Sequence, residues 1–539
     1  MAFVIPAREH LLERLAISSR CRIVASAVPT RQKQIATTRS IVCYFKRSVK
    51  KRINPESDCV AQQGKTYGRV LDGESHFFAS LLLPKTRAVF KALRQVAKQN
   101  WRFTYGDYAV FMSMLASSGA VGLYCAFNNG PQNSIRQLLA ADGKLPPLAV
   151  STSLMASFIS ASYILGNASE IYLHGTMYFF ILAAYCLVIP VTSHFYMPVF
   201  FRNNVLTCYE YLELRFNRVT RCVAVACYIL QMLIYISIQL YAPALALSYV
   251  TGMSLWSAVV AIGLVCTIYT SVGGIKAVVY TDTLQAVCMI ASMIVVVTLG
   301  FKSVGGFSAA WEVARSGGRI RFDDANVDPT VRHTIWGLLI GSFFTNLASY
   351  ATNQMMVLRY LTVSSLNRAK LVVWVNLPYL MLILTLSCLA GIMVFAHFHS
   401  CDPVQTKQIL MYDQLLPYFV MVKLGTQVGL PGVFVAGIFA ASLSSISSGV
   451  NALANVLYVD VVALIWPKLG NETGSRTINV LGAACGMLSI ALVAVAQSMG
   501  DVMTATNAVN SAIGGPLLAL FTVAIFMPFV NTSGALWGF

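Results

Sequence analysis

Residues 424–459 read LGTQVGLPGVFVAGIFAASLSSISSGVNALANVLYV and contain no Asp, Glu, Lys or Arg. A helix needs about 20 predominantly apolar residues to cross a bilayer, so this stretch is long enough to do so. Because lipid offers no hydrogen-bond partners, a spanning segment must satisfy its own backbone groups, which favours a helix. The stretch therefore predicts a membrane-spanning helix, although five serines interrupt its apolar surface.

The same pattern recurs along the whole chain. Seven more charge-free stretches approach or exceed the spanning length: 145–169, 177–201, 222–275, 283–301, 333–358, 371–401 and 477–500. The third is long enough for two helices, with a turn at Thr251-Gly252. The short alternating segments of an outer-membrane barrel are not visible. We therefore predict an all-α polytopic membrane protein with about eleven transmembrane helices, named spans 1 to 11: 107–127, 147–166, 177–200, 222–246, 255–275, 283–301, 333–357, 371–397, 430–460, 477–498 and 503–529.

The net charge of +18 is concentrated at one end of the chain. Residues 1–102 hold 20 of the 39 Lys and Arg residues but only 6 of the 21 Asp and Glu residues. We predict that 1–102 is a poorly ordered basic extension in contact with solvent or lipid headgroups, and that 103–539 is the transmembrane domain. Since no nucleic-acid-binding module accompanies the basic run, nucleic acid is not an expected partner.

The basic residues of the loops indicate an orientation. Twelve Lys and Arg residues of 103–539, Arg359 among them, fall in loops on one side of the membrane, and seven fall on the other. Five of those seven sit in one longer loop, 302–332, where the positive-inside rule weakens. The loops predict that span 1 begins outside, whereas the basic extension argues the other way.

Motifs for enzyme chemistry are missing from the sequence. It has no phosphate-cradling Gly loop, no HExxH and no nucleophile elbow. Its 13 cysteines are scattered without a CxxC pair. We therefore predict a protein that is not an enzyme, with no cofactor and no metal other than a transported ion.

Two serine-rich segments at mid-span depth point to a small hard cation. Ala441, Ser444 and Ser445 stand at i, i+3 and i+4, on one helix face. Unwinding of span 2 near 156–159 would add free carbonyls, as in the broken helices of transporters. Oxygen atoms of this kind can hold sodium. Back-bonding of serines to the preceding turn, or close helix packing, is the favoured explanation of either cluster when it is considered alone.

Asp282 and Gln285 form a third polar feature, one helical turn apart at the expected inner start of span 6. An ionisable group at membrane depth is costly and usually functional. An ion pair with Lys276 at the inner interface is the structural alternative.

At these residues the chain resembles the sodium/solute symporter family, in the branch of the sodium-coupled monocarboxylate, multivitamin and iodide transporters. The resemblance runs nearly from 103 to 539. The matching strings include SEIY 169–172, TCYEYLELRFN 207–217, YAPALAL 241–247, GGIKAVVYTDTLQ 273–285, VDPTVRHTIW 327–336, DQLLPYFVM 413–421, LPGVFVAG 430–437, SLSSISSGVNALA 442–454 and GGPLLALF 514–521.

The resemblance implies a five-plus-five inverted-repeat (LeuT-like) fold with one extra leading helix, the repeats being spans 2–6 and 7–11. It also implies further C-terminal helices that this sequence lacks. The implied sodium ligands are Ala156, Ile159, Ala441, Ser444 and Ser445. A second sodium, present in some members, would use Ser157, Asp282, Gln285 and Gln354. The implied solute contacts are Ser160, Tyr163, Tyr350 and Asn353.

The function that the resemblance implies is sodium-coupled import of a small organic anion across the plasma membrane, with a monocarboxylate as the first choice. A vitamin such as biotin or pantothenate, or inorganic iodide, is the alternative solute. Tyr163 and Leu173 depart from the residues usual in this branch, so the solute stays open. A non-transporting solute sensor on the same fold is the alternative of another class. The expected partners are sodium, the solute and the bilayer, and the oligomeric state is undetermined.

Overall fold

The computed structural model describes residues 103–128, 137, 141–328, 330–467 and 470–539, and every regular element in these ranges is a helix. They lie in one compact unit, Asn100–Phe539. The predicted extension 1–102 lies outside the described residues.

Each of the eleven predicted spans is helical. Spans 1 to 6 are Tyr105–Asn128, Pro147–Phe158 with Ala161–His174, Thr176–Asn203, Arg218–Thr251, and one helix, Leu255–Ser303, that carries spans 5 and 6. Spans 7 to 11 are Gly337–Thr352 with Gln354–Tyr360, then Leu366–Phe398, Leu430–Ile465, Asn471–Gln497 and Val502–Phe526. Shorter helices connect them: Ala141–Gly143, Cys208–Arg215, Phe307–Ser316, Tyr412–Gln414, Leu415–Phe419, Val420–Leu424 and Thr532–Gly538.

Length and composition support a membrane location for the described helices. Seven of them are long and apolar enough to cross a bilayer singly, and the bent pair of span 2 makes an eighth. The remaining three helical spans are 1, 5 and 7. Span 1 is one 24-residue helix, span 5 is the first part of Leu255–Ser303, and span 7 is interrupted by π-helical turns. The polytopic all-α prediction is confirmed.

Two glycines set the boundaries of spans 4, 5 and 6. Gly252, with φ +76°, ends span 4 and confirms the predicted turn. Gly274 separates spans 5 and 6 with φ +61° and ψ −177°, a conformation that side chains with a Cβ rarely adopt. Span 6 therefore begins well before residue 283. Asp282 consequently lies two turns inside the helix and not at its start, which corrects the sequence-based boundary.

Span 9 forms the centre of the bundle. Its apolar window is 94% buried, against 39% for spans 10 and 11. Small residues allow this close packing: a Cβ added at Gly437 would lie 2.2 Å from the hydroxyl of Ser292 in span 6. The serines of span 9 thus face protein and not lipid.

Candidate functional site

Span 2 is broken where the sequence predicts unwinding. Its first helix ends at Phe158, and Ile159 and Ser160 have extended backbone, with ψ of 105° and 174°. The two halves meet at a bend of 57°. The Ser160 side chain caps the second half by accepting a hydrogen bond from the Tyr163 amide at 3.4 Å. Because a helix leaves its last carbonyls without intrahelical partners, the break exposes acceptors in mid-membrane.

Span 9 places two hydroxyls against these carbonyls. The Ser444 hydroxyl donates to the Ala156 carbonyl at 2.7 Å, and the Ser445 hydroxyl donates to the Ser157 carbonyl at 3.0 Å. Both hydroxyls also lie 3.0–3.1 Å from the Ala441 carbonyl. Ala156, Ala441, Ser444 and Ser445 are thereby brought together from two segments some 290 residues apart. Ile159 is buried at the break itself.

The donor set of this cluster suits a small monovalent cation. It consists of neutral carbonyl and hydroxyl oxygens, all buried. A serine hydroxyl can turn its hydrogen away and present a lone pair to a cation. Rings of such oxygens replace the hydration shell of an alkali ion. We call Ala156, Ile159, Ala441, Ser444 and Ser445 the span 2–span 9 cluster.

A second polar cluster surrounds Asp282, which is fully buried. Its Oδ2 accepts hydrogen bonds from Ser153 at 2.7 Å, from Ser157 at 3.2 Å and from Ser448 at 3.3 Å. The Arg359 guanidinium pairs with the same oxygen at 3.2 Å. Two opposite charges are therefore held together in the interior, where each would be costly alone.

Arg359 is the centre of this cluster, and the sequence did not single it out. Its side chain is fully buried, donates to Ser153 at 3.0 Å and also contacts Ser448. The count of loop charges assigned Arg359 to an inner loop, but the structure places it in the second helix of span 7, Gln354–Tyr360. The ion pair is thus Asp282–Arg359, and not the Asp282–Lys276 alternative. The available signal was Asp282 itself, since a carboxylate inside a membrane requires a partner.

The other predicted second-site residues occupy two different environments. Both polar atoms of the Gln285 amide, and Oδ1 of Asp282, are buried without a hydrogen-bond partner among the described residues. The Gln354 amide is fully engaged: Oε1 accepts from the Cys208 amide at 2.9 Å, and Nε2 donates to the Leu206 carbonyl at 3.0 Å. Ser157 therefore contacts Asp282, whereas Gln354 is hydrogen-bonded to the loop after span 3.

A cavity of about 300 Å³ lies beside the break of span 2. Ser160, Tyr163 and Asn353 line it, as do Phe158, Tyr185 and Gln239. Asn353 has extended backbone, with ψ of 122°, and interrupts span 7 opposite the break in span 2. Pockets for small molecules begin at about this size and combine apolar walls with a few placed polar groups.

Aromatic rings form one wall of the cavity. The Phe158 ring lies 4.8 Å from the ring of Tyr350 and 5.9 Å from that of Tyr185, between centroids. The Tyr163 and Tyr185 hydroxyls are hydrogen-bonded at 3.0 Å. Tyr350 is fully buried behind Phe158, where its hydroxyl accepts from the Asn376 amide at 3.1 Å. Tyr350 therefore supports the wall rather than lining the cavity.

The end of the cavity toward the predicted outer side carries a charged cluster that the sequence did not indicate. Glu170 accepts from Arg332 at 2.6 Å and from the His333 ring at 2.9 Å. His333 has φ +61°, a left-handed conformation that few non-glycine residues adopt. These contacts attach the segment before span 7 to the second half of span 2.

The family assignment follows from comparison of the sequence with known proteins. The model of the sodium:solute symporter family matches residues 139–539. The chain belongs to this family. A mouse (Mus musculus) sodium-coupled monocarboxylate transporter 2 is 39% identical over 436 residues, which cover 81% of this chain and 70% of that protein. A rabbit (Oryctolagus cuniculus) sodium-dependent multivitamin transporter is 40% identical over 437 residues, which cover 81% and 69%.

The solved structures support the architecture of this sodium:solute symporter. A Na⁺-coupled sialic acid symporter in a substrate-bound outward-open state superposes with a TM-score of 0.71 at 24% identity, covering 81% of this chain and 90% of that one. The expected LeuT-like fold of two five-helix inverted repeats after a leading helix is thereby confirmed. The two broken spans, 2 and 7, open the two repeats, and the cavity lies between their breaks. The symporter is an integral membrane protein whose family members carry sodium with a small solute.

Proposed function

We propose that this symporter imports a small organic anion, a monocarboxylate, together with sodium across the plasma membrane by alternating access. The observation that supports the proposal best is the approach of the Ser444 and Ser445 hydroxyls to the carbonyls at the break of span 2, at 2.7 and 3.0 Å. A cation bound among these oxygens would join span 2 to span 9.

Sodium at the span 2–span 9 cluster would couple to the solute through span 2. Ile159 and Ser160 are adjacent, and one belongs to the proposed ion site while the other lines the cavity. Sodium that fixes the break therefore also fixes one wall of the solute site. Each ligand then raises the affinity of the other by the same factor, as linkage requires.

The cavity favours a small anion held by neutral donors. Arg332 is the one Lys or Arg residue that lines the described cavity, and Glu170 already pairs with it at the outer end. At the inner end Tyr163 and Asn353 offer a hydroxyl and an amide near the broken spans. A carboxylate bound there would gain its counter-charge from the sodium. The charge of the solute would then lie close to the ion site.

A second sodium is proposed at Asp282, with Ser157 and Gln285. Oδ1 of Asp282 and the Gln285 amide, which have no hydrogen-bond partner in the part of the chain that the structure describes, stand at i and i+3 of span 6 and support this site. Gln354 belongs to the set expected from the family resemblance, but its amide binds the loop after span 3 in this conformation. Two sodium ions per monoanion would move one net charge, and the membrane potential would contribute about 2.3 kcal/mol per 100 mV.

A vitamin is the second candidate solute, because a relative named as a multivitamin transporter is 40% identical to this chain. Uptake into proteoliposomes discriminates the candidates. Radiolabelled lactate, biotin and iodide are each supplied with an inward sodium gradient and, as control, an inward potassium gradient. We expect sodium-dependent accumulation of lactate. Accumulation of biotin or iodide alone would identify that solute as the substrate in place of a monocarboxylate. Binding without accumulation of any solute would indicate a sensor.

The number of sodium ions is tested separately. With two sodium sites, the sodium-activation curve of uptake has a Hill coefficient above one. Asp282→Asn reduces it toward one by weakening the second site. A coefficient of one in the wild type that Asp282→Asn leaves unchanged would reject the second site.

A further inference from the structure

The short loop after span 3, residues 204–208, is held between spans 7 and 9, on the side that the loop charges predict to be the inner one. Span 3 ends at Asn203, and Asn204 turns the chain with φ +54°. Thr207 and Cys208 are fully buried. We call residues 204–208 the inner loop.

Gln354 attaches the inner loop to the break of span 7. It is the first residue after Asn353, and its buried amide makes two hydrogen bonds to the loop backbone, from Cys208 at 2.9 Å and to Leu206 at 3.0 Å. The Cys208 thiol adds a third contact by donating to the Thr352 carbonyl at 3.4 Å. The inner loop therefore contacts both sides of the break.

The same loop is attached to the inner end of span 9. The Thr207 hydroxyl donates to Oδ1 of Asp460 at 2.9 Å, and Arg221 donates to that oxygen at 2.7 Å. Arg221 also pairs with Glu213 at 2.6 Å. The Asp460 side chain is fully buried within this network. Three consecutive loop residues thus contact span 7, span 9 and span 7 again.

These contacts form one continuous connection from the solute cavity to the inner surface. Asn353 lines the cavity, Gln354 follows it in the chain and binds Leu206, and Thr207 binds Asp460. The break of span 7 cannot move away from the inner loop without rupturing both hydrogen bonds of Gln354. An inner closure of this kind belongs to the alternating access of the proposed function, on which the inference rests.

We propose that Gln354 is a positioning residue that keeps the inner side closed and transmits movement of the span 7 break to the inner loop. Two buried hydrogen bonds oppose the opening. Because each bond contributes a factor of about 2 to 12 to an equilibrium, their loss should raise the inward-open population roughly 5- to 100-fold. Gln354 does this without touching the solute.

Alkylation of Cys208 reports this opening directly, because this loop residue is fully buried while the loop is closed. The purified symporter is treated with N-ethylmaleimide without sodium or solute, and modification of Cys208 is measured by peptide mass spectrometry. We expect Gln354→Leu to react at least about fivefold faster than the wild type. Gln354→Glu, which keeps the acceptor for the Cys208 amide and loses the donor to Leu206, should react at an intermediate rate. Gln427→Leu, at an exposed glutamine, is the matched control and should react as the wild type does.

Transport kinetics separate coupling from a general loss of structure. If Gln354→Leu depletes the outward-facing state, the KM for external solute rises in inverse proportion to the outward-facing fraction that remains, while the maximal rate falls less. Thr207→Val removes the contact to Asp460 without altering Gln354. If Gln354→Leu does not fold, the labelling of Cys208 is measured in Thr207→Val instead, where it should also be faster than in the wild type. Labelling at the wild-type rate in either folded variant overturns the inference. Since labelling requires neither sodium nor solute, this outcome is distinct from failure of the proposed function.

Discussion

The buried pair of Asp282 and Arg359 allows a quantitative prediction. Replacing Arg359 with Met keeps most of its apolar volume but leaves the Asp282 carboxyl group fully buried, without the counter-charge that stood 3.2 Å away. Breaking a buried ion pair in this way typically costs 3–5 kcal/mol. The three serine hydroxyls on Oδ2 stay in place and compensate part of that cost. We therefore expect a loss of about 3 kcal/mol for Arg359→Met.

The double variant Asp282→Asn/Arg359→Met removes both charges and should be more stable than Arg359→Met alone. A double-mutant cycle then gives a coupling energy of about 2–3 kcal/mol. The assay is thermal unfolding of the purified protein in detergent, followed by intrinsic fluorescence. Arg476→Met is the control, because its pair with Glu472 is exposed and should leave the midpoint unchanged. Additive midpoint shifts, with the double variant the least stable of all, would refute the buried pair.

Two more predictions concern stability. Burial raises the pKa of Asp413 to about 6, although the Val502 amide donates a hydrogen bond to its carboxylate. The contribution of Asp413 to the free energy of unfolding is therefore full below about pH 4 and is lost as pH rises through 6, about 3 kcal/mol in all. Asp413→Asn should therefore melt at more similar temperatures at pH 4.5 and 7.5 than the wild type does, and equal pH dependence of the two proteins would contradict this. Gly437→Ala should lower the unfolding midpoint by overpacking against Ser292, at a cost of about 1–3 kcal/mol. Gly515→Ala is the control, because the space around Gly515 is open and its midpoint should not change. Equal midpoint shifts in the two variants would contradict the prediction.

The membrane fold could be predicted from the sequence because charge-free stretches identify spans without any tertiary information. The break in span 2 was also predictable, since serines and small residues at mid-span depth suggested unwinding before the structure showed Ile159 and Ser160 extended. The predicted start of span 6, at residue 283, was wrong for a local reason. The sequence reading ended the preceding loop at the charge of Asp282, but Gly274 permits the chain to reverse much earlier.

The environment of Asp282 could be predicted only in part, because its partners lie far apart along the chain. Arg359 is 77 residues away, Ser153 is 129 residues away and Ser448 is 166 residues away. Periodicity places residues on one face of one helix, but it says nothing of which helix faces it. The inner loop was missed for the same reason: Gln354 binds a segment 146 residues away in the chain.

The central claim is that sodium binding at the span 2–span 9 cluster drives solute uptake. The measurement that tests it most directly is the sodium-activation curve of lactate uptake into proteoliposomes containing Ser444→Ala/Ser445→Ala. Ser442→Ala is the matched control, because that hydroxyl lies in the same helix and has no hydrogen-bond partner among the described residues. We predict that the double variant stays folded in the membrane but loses sodium-dependent uptake, while Ser442→Ala retains it. Undiminished sodium-dependent uptake in the double variant would contradict the claim.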